Sequence, residues 1–487
     1  MKKLADLEPK ALWRYFEELS RIPRCSKKEQ AAAAWVEKVA RDHGLKPERD
    51  RSGNVLVRVP GTAGLEKAPV VALQGHLDMV CEKNSDVAHD FARDPIVPVV
   101  HADGHVRAQG TTLGADNGIG IAAALALLDT PGGEHGPLEL LFTIDEETGL
   151  SGALGIEAGW LKARYLLNLD SEELGVFTVG CAGGRDTNIR LSARRAPREG
   201  LAALELTVSG LQGGHSGTDI HRNRGNSVKI LARLLLAAVE SRSVGALHLG
   251  EASGGSKRNA LPREARAGIA IARSQVEAFK REVEAETGRV RVQLAGSDEK
   301  LHVTLEPSAE KAYASAEDSL RALRLIRALP QGVAAMNVDI PTLVETSNNV
   351  GVLEDLGDGW RIVCATRSSV APALLDLLAQ IDAAAHLAGA EVTHNDGYPG
   401  WKPNLDSPLL ARAKDVYRRL YGSDPQVGAI HAGLECGLFT EKYPGLDLLS
   451  FGPDIQGAHS PDERVRIDTV EKMYEFTCAL LGDLARS

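Results

Sequence analysis

The 487-residue chain has no two cysteines in C-x-x-C spacing, no run of 18 apolar residues and no excess of basic side chains. Six cysteines, Cys25, Cys81, Cys181, Cys364, Cys436 and Cys478, stand scattered. That signals neither a zinc ribbon nor a disulfide framework, and reduced thiols in a cytoplasm fit best. The missing apolar span, and the lack of an apolar stretch behind Lys2-Lys3, argue against membrane crossing and export. Lys and Arg number 56 against 66 Asp and Glu, a formal charge of −10. This excludes a nucleic-acid-binding stripe and favours a small or cationic partner. What remains is 43% hydrophobic and 25% charged residues, the content of a soluble globular protein long enough for roughly two to three domains.

The pattern predicts helices over 9–20 and 26–43, the second opening with Ser26 and Glu29 in capping-box spacing. Short apolar runs follow at 55–59, 70–74, 138–144 and 165–169, with an alanine- and leucine-rich helix over 114–128. Strands alternating with helices predict an α/β fold with a mostly parallel or mixed sheet. From about 187 to 396 the texture becomes α+β, with helices at 227–239 and 371–387. After Gly400-Trp401-Lys402-Pro403 the α/β texture resumes. One discontinuous domain, 1–186 with 397–487, is therefore interrupted by a second, 187–396.

Polar clusters fall where apolar runs stop, the place where chemistry collects in such sheets. His76 and Asp78 in Gln74-Gly75-His76-Leu77-Asp78 point the same way if the chain stays extended. Asp145-Glu146-Glu147 and Asp170 end two further runs, Asp116 opens the buried helix, and His459 lies in Gly457-Ala458-His459-Ser460-Pro461. Singly, each has an ordinary explanation: a satisfied strand-end histidine, or an aspartate helix cap. Together His76, Asp116, Glu147, Asp170 and His459 are five metal donors suited to zinc or a neighbouring divalent ion. If Asp116 bridges, they supply three donors to each of two ions, and Glu146 is placed to move the proton of an activated water.

In order and spacing, Gly75-His76-Leu77-Asp78-Met79-Val80, Leu113-Gly114-Ala115-Asp116-Asn117-Gly118, Asp145-Glu146-Glu147-Thr148-Gly149, Asn168-Leu169-Asp170-Ser171-Glu172 and Gly457-Ala458-His459-Ser460-Pro461 resemble the di-zinc exopeptidases of the carboxypeptidase G and aminoacylase group. The likeness covers essentially the whole chain and leans to the aminoacyl-histidine (Xaa-His) dipeptidase branch, also called cytosol non-specific dipeptidases. It implies that His76 and Asp170 bind one metal, Glu147 and His459 the other, and Asp116 both. It also implies that Asp78 supports His76, that Glu146 is general base and acid, and that the Asp116–Asn117 peptide is cis. The broad group often carries a lysine shortly after the bridging aspartate. Here the chain runs Asn117-Gly118-Ile119, which points away from aminoacylase-type members.

The resemblance further implies that the inserted domain is a lid that often carries a dimer contact. His215 in Gly213-Gly214-His215-Ser216-Gly217 then polarises the scissile carbonyl, while Asn259 and Arg367 grip the substrate, Arg367 by its carboxylate. Without the likeness, His215 is a turn histidine and Arg367 a solvated arginine. Glu435, in a loop after a strand near 427–430, can accept the free α-amine of a dipeptide, and Cys436 is an inert buried thiol.

The expectation is a cytoplasmic, homodimeric zinc dipeptidase, with Mn²⁺ or Co²⁺ as possible metals. Its partner is a small unblocked dipeptide such as Xaa-His. The alternatives are an N-acyl-amino-acid amidohydrolase and a non-catalytic metal- or peptide-binding protein.

Overall fold

The computed structural model describes residues 3–130, 132–242, 244–309 and 311–486. They fall into two compact units: Met1–Gly180 with Trp401–Ala429 and Leu434–Ser487, and Cys181–Gly400 with Ile430–Gly433. The breaks stand at 180/181 and 400/401 instead of 186/187 and 396/397, and the second unit also takes residues 430–433. The strand Val176–Cys181 is followed almost at once by Gly183–Ser192, so the β texture runs through the point where the units divide.

An eight-stranded mixed sheet forms the first unit. Its order is Pro47–Arg49, Val55–Val59, Leu138–Thr143, Val71–His76, Tyr165–Asn168, Asp447–Ser450, Val176–Cys181 and Gln426–Ile430. Val71–His76 runs parallel to both neighbours, with Val71 opposite Leu138 and Tyr165. All six residues of Val71–His76 and of Leu138–Thr143 are buried. That is why these strands read as mostly apolar runs rather than regular alternations, Gln74 and Glu139 being the polar residues inside them. The helix Ala115–Ala126 approaches the end of Val71–His76 so closely that a Cβ on Gly75 would collide with Asn117 Oδ1.

Two expectations for the N-terminal region fail. The second helix runs Gln30–Asp42, and Ser26 does not cap it. The Ser26 hydroxyl donates instead to Asp78 Oδ2 at 2.8 Å, while Glu29 Oε1 accepts the N–H groups of Lys27 and Asp145. Nor are all six cysteines reduced, for Cys25 and Cys81 form a disulfide. The backbone bridge between Cys25 and Met79, reinforced by Met79 N–H donating to Arg24 O, brings together residues 56 apart in sequence. Cys181, Cys364 and Cys436 are buried.

The second unit is α+β. Its nine-stranded sheet runs His302–Pro307, Leu201–Ser209, Ala265–Ala272, His248–Gly254, Val344–Asp355, Gly359–Ser368, Gly183–Ser192 and Glu391–His394, with Gly332–Met336 paired to Val344–Asp355. In Leu201–Ser209 the residues Leu204, Leu206 and Val208 are buried and their neighbours less so, the period of two that a half-covered sheet requires. Helices Ser227–Glu240, Val276–Gln293 and Ala316–Ala328 bury Leu231, Leu235, Phe279, Leu323 and Ile326 in the same core. Among the described residues no helix is long and apolar enough to cross a membrane.

Candidate active site

Every strand-end cluster of the first unit converges. His76 closes Val71–His76, where Leu77 N–H donates to Thr143 O at 2.7 Å. Asp145, at φ 52°, turns the chain out of Leu138–Thr143 and into the short helix Glu146–Gly149. Asp116 has non-helical angles, φ −78° and ψ 114°, after Gly114 at φ 71°. The Asp116–Asn117 peptide is cis, as the resemblance implies. His459 sits in the loop between Ile455–Gln456 and Arg464–Arg466.

Asp116 stands between the two imidazoles. Its Oδ1 lies 3.0 Å from His76 Nε2 and its Oδ2 3.1 Å from His459 Nε2. His76 Nε2 is also 3.3 Å from Asp170 Oδ1, and His459 Nε2 is 3.0 Å from Glu147 Oε2. Among the described residues four three-donor groups form: His76–Asp116–Asp170 and Asp116–Glu147–His459, which share Asp116, together with His76–Glu146–Glu147 and Glu29–Asp78–Asp145. Glu147 Oε1 is buried without a hydrogen-bond partner. An uncompensated buried carboxylate oxygen beside two imidazoles and two other carboxylates is the donor chemistry of a divalent cation.

The electrostatics follow from this crowding. Hydrogen bonds to Asp116 and Glu147 push the His459 imidazole up to about 11. At His76, burial opposes protonation, but Asp170, Asp116 and Asp78 outweigh it and raise the group well above its ordinary value. Burial pushes Asp170 up to about 6, against the pull of His76. Burial also drives the Glu146 carboxyl well above the usual range; His76 opposes the shift and Asp170, Glu435 and Glu147 add to it. A carboxyl raised in this way beside the metal-donor groups is suited to proton transfer.

Asp78 organises the surroundings. Its Oδ1 lies 3.3 Å from His76 Nδ1 and accepts Glu146 N–H at 3.0 Å, while Oδ2 accepts Glu147 N–H at 3.2 Å. Burial opposes its ionisation, yet His76 and Ser26 hold it down to about 2. Glu435 departs from expectation: it begins the helix Glu435–Lys442 instead of lying in a loop, and it is 1% exposed. Its Oε2 accepts from Gln74 Nε2 at 2.6 Å and Thr143 Oγ1 at 2.7 Å, while Oε1 is buried without a partner. Burial pushes this carboxyl up to about 8. Sequence reasoning missed Ser26, Gln74 and Thr143. Gln74 and Thr143 carry a signal, since both are polar residues in otherwise apolar strands.

In the second unit His215 Nδ1 accepts N–H bonds from Gly217 at 3.3 Å and Thr218 at 3.1 Å. An Nδ1 that accepts leaves the proton of the neutral ring on Nε2. Burial, helped by Arg367, lowers the His215 pKa and keeps the ring neutral, so Nε2–H is a donor. Arg367 is 9% exposed, which excludes a solvated arginine; its Nη1 donates to Tyr398 Oη at 2.8 Å and its Nε has no partner. Asn259 is exposed, and its backbone carbonyl accepts Ser216 N–H at 2.9 Å. His431, buried and held down to about 3 by burial and then by Arg367 and His215, pairs through Nε2 with Ser347 Oγ at 2.7 Å.

Residues 72–483 match the family described as Peptidase family M20/M25/M40. Over 487 residues the sequence is 41% identical to the cytosol non-specific dipeptidase of Escherichia coli (strain K12), covering 99% of each chain. The fold is similar to the crystal structure of aminoacylhistidine dipeptidase from Vibrio alginolyticus, with TM-score 0.91, 41% identity and coverage of 99% of this chain and 98% of that one. A tripeptidase from Staphylococcus aureus shares the fold at TM-score 0.57 and 16% identity, covering 99% of this chain and 100% of that one.

Proposed function

The chain belongs to peptidase family M20/M25/M40, and from that premise we propose that it is a zinc-dependent dipeptidase acting on unblocked dipeptides, Xaa-His among them. It is a peptide-bond hydrolase, and its close relatives are dipeptidases. The observation that carries the finer reading is the pair of three-donor groups sharing Asp116. In this reading His76, Asp116 and Asp170 hold one ion and Asp116, Glu147 and His459 the other. Bound there, the metals polarise the scissile carbonyl and make a water acidic enough to attack near neutral pH.

The protein's own groups do the rest. Glu146 takes a proton from the attacking water and returns it to the leaving amine. Asp78 orients His76 through Nδ1 and fixes the backbone of Glu146 and Glu147. His215 Nε2–H is assigned to the developing oxyanion, and Arg367 with Asn259 to the substrate carboxylate. Glu435 Oε1, polar and unpartnered, is assigned to the free α-amine.

We place the enzyme in the cytoplasm, after the name of the Escherichia coli relative. The second unit is read as lid and dimer contact, and light scattering returning a monomer would overturn that part. The function itself is tested by stripping the metal and restoring zinc. Turnover of an Xaa-His dipeptide that disappears and returns supports it; turnover indifferent to stripping overturns it.

A further inference from the structure

Arg24 and Glu463 are both buried, at 1% and 2% exposure, and neither has a part in the chemistry above. Both bond the turn that delivers Asp116, Glu463 with all four of its contacts and Arg24 with one of three. Glu463 Oε2 accepts the N–H groups of Leu113 at 2.7 Å and Gly114 at 2.9 Å, and Oε1 those of Ala115 at 2.7 Å and Asp116 at 3.3 Å. These include first-turn donors of the helix Ala115–Ala126, which its own N-cap, a glycine, cannot satisfy with a side chain. A carboxylate 350 residues from Leu113 takes the place of a local cap.

Arg24 holds the opposite face of the turn. Its Nη2 donates to Gly114 O at 2.5 Å, and its Nη1 to Leu77 O at 3.1 Å and Asp78 O at 2.9 Å. One guanidinium thus ties the turn before Asp116 to the strand end after His76. Position 114 favours glycine for two reasons: its φ is 71°, and a Cβ there would lie 2.5 Å from Arg24 Nη2 and 2.8 Å from Met79 Sδ, so that one of these side chains would have to shift. Burial lowers Arg24 to about 10, which leaves it charged at neutral pH. Burying two ions is costly unless their bonds are filled; both Glu463 oxygens and both Arg24 terminal nitrogens are engaged, while Arg24 Nε has no partner.

We propose that Arg24 and Glu463 are positioning residues that clamp the Gly114 turn from two sides and so set the Asp116 carboxylate between His76 and His459. The proposal rests on the reading of Asp116 as the bridge between two metals. Without the clamp, the non-helical angles of Asp116 relax toward the helix that follows, and its carboxylate leaves the line between the imidazoles. Glu463 then acts on metal affinity through Asp116, and Arg24 through Asp116 and through the strand end that carries His76.

The test is zinc titration of folded, metal-stripped protein against a chromophoric chelator, in a cycle of Glu463→Gln, Asp116→Asn and the double variant. The amide that Glu463→Gln introduces keeps one acceptor and turns an NH₂ group toward N–H donors. A rise in the zinc dissociation constant of roughly 10–100-fold is expected, the usual size for groups that orient metal ligands. The double variant is expected to bind no worse than Asp116→Asn alone, with kcat reduced in Glu463→Gln while KM stays near its original value. Unchanged zinc affinity in Glu463→Gln, or losses that add in the double variant, would overturn the clamp and leave the metal assignment standing. Asp116→Asn binding zinc as tightly as the parent would overturn the metal assignment, and the clamp with it. If Glu463→Gln does not fold, Glu463→Asp takes its place in the same cycle, since a shorter carboxylate cannot reach all four N–H groups from the same backbone position.

Discussion

Asp78 Oδ1 accepts the backbone N–H of Glu146 at 3.0 Å. Since Oδ2 accepts the next N–H, of Glu147, and Oδ1 also faces His76 Nδ1, one carboxylate places a proposed base and two proposed metal ligands. Asp78→Asn keeps the size but puts a donor where only acceptors serve. A fall in kcat/KM of roughly 10–100-fold is expected, measured by steady-state kinetics at saturating zinc. Ser26→Ala removes one of several hydrogen bonds to the Asp78 carboxylate, worth about 1.5–3 kcal/mol to stability, and leaves its contacts to His76, Glu146 and Glu147 in place, so a smaller fall in kcat/KM is expected. A larger effect from Ser26→Ala than from Asp78→Asn would contradict this order.

Glu146→Gln separates proton transfer from metal binding. It should lower kcat by roughly 10²–10⁴-fold. Zinc content measured by atomic emission should remain that of the parent if the ions sit in the two donor groups that share Asp116, since Glu146 belongs only to the group His76–Glu146–Glu147. Loss of zinc together with activity would make Glu146 a ligand and not a base.

Reading these residues from sequence alone succeeds and fails for clear physical reasons. Parallel strands buried on both faces are mostly apolar runs, so the polar clusters that end or follow them stand out: His76, Asp145 with Glu146 and Glu147, Asp170. The helices 227–240 and 371–387 carry signals just as local. Ser26 misled because Ser-x-x-Glu is a capping pattern, and only the fold reveals Asp78 as a nearer acceptor. The Cys25–Cys81 pairing and the Glu463 contacts join residues too far apart for any local pattern. Glu435 looked like a loop residue because a glutamate gives no hint that Gln74 and Thr143 wait for it inside.

Glu435 makes stability depend on pH. Its carboxyl rises from the ordinary 4.5 to about 8 on folding, so the folded state holds a proton that the unfolded chain releases. That contribution is fully present below about 4.5 and is lost as pH climbs toward about 8. Glu435→Gln keeps an acceptor for Gln74 and Thr143 and removes the titration. The melting temperature of the metal-free variant, relative to the parent, should therefore increase from pH 5 to pH 8 in a calorimetric series. A difference that is flat or falls would contradict the buried carboxyl.

Arg367→Lys tests the carboxylate contact. Losing the planar fork should reduce kcat/KM for a dipeptide by roughly tenfold or more, given about 1.5–3 kcal/mol for a hydrogen bond to a charged group. The same comparison made with the dipeptide amide should show little change. Equal losses on both substrates would show that Arg367 does not read the carboxylate.

The metal centre is proposed to cleave dipeptides whose amine is free. The most direct measurement is kcat/KM of the zinc-loaded enzyme for an Xaa-His dipeptide and for its N-acetylated form. Strong preference for the free amine is the predicted result. Preference for the acetylated form would make the enzyme an N-acyl-amino-acid amidohydrolase, and turnover of neither would make it a binding protein.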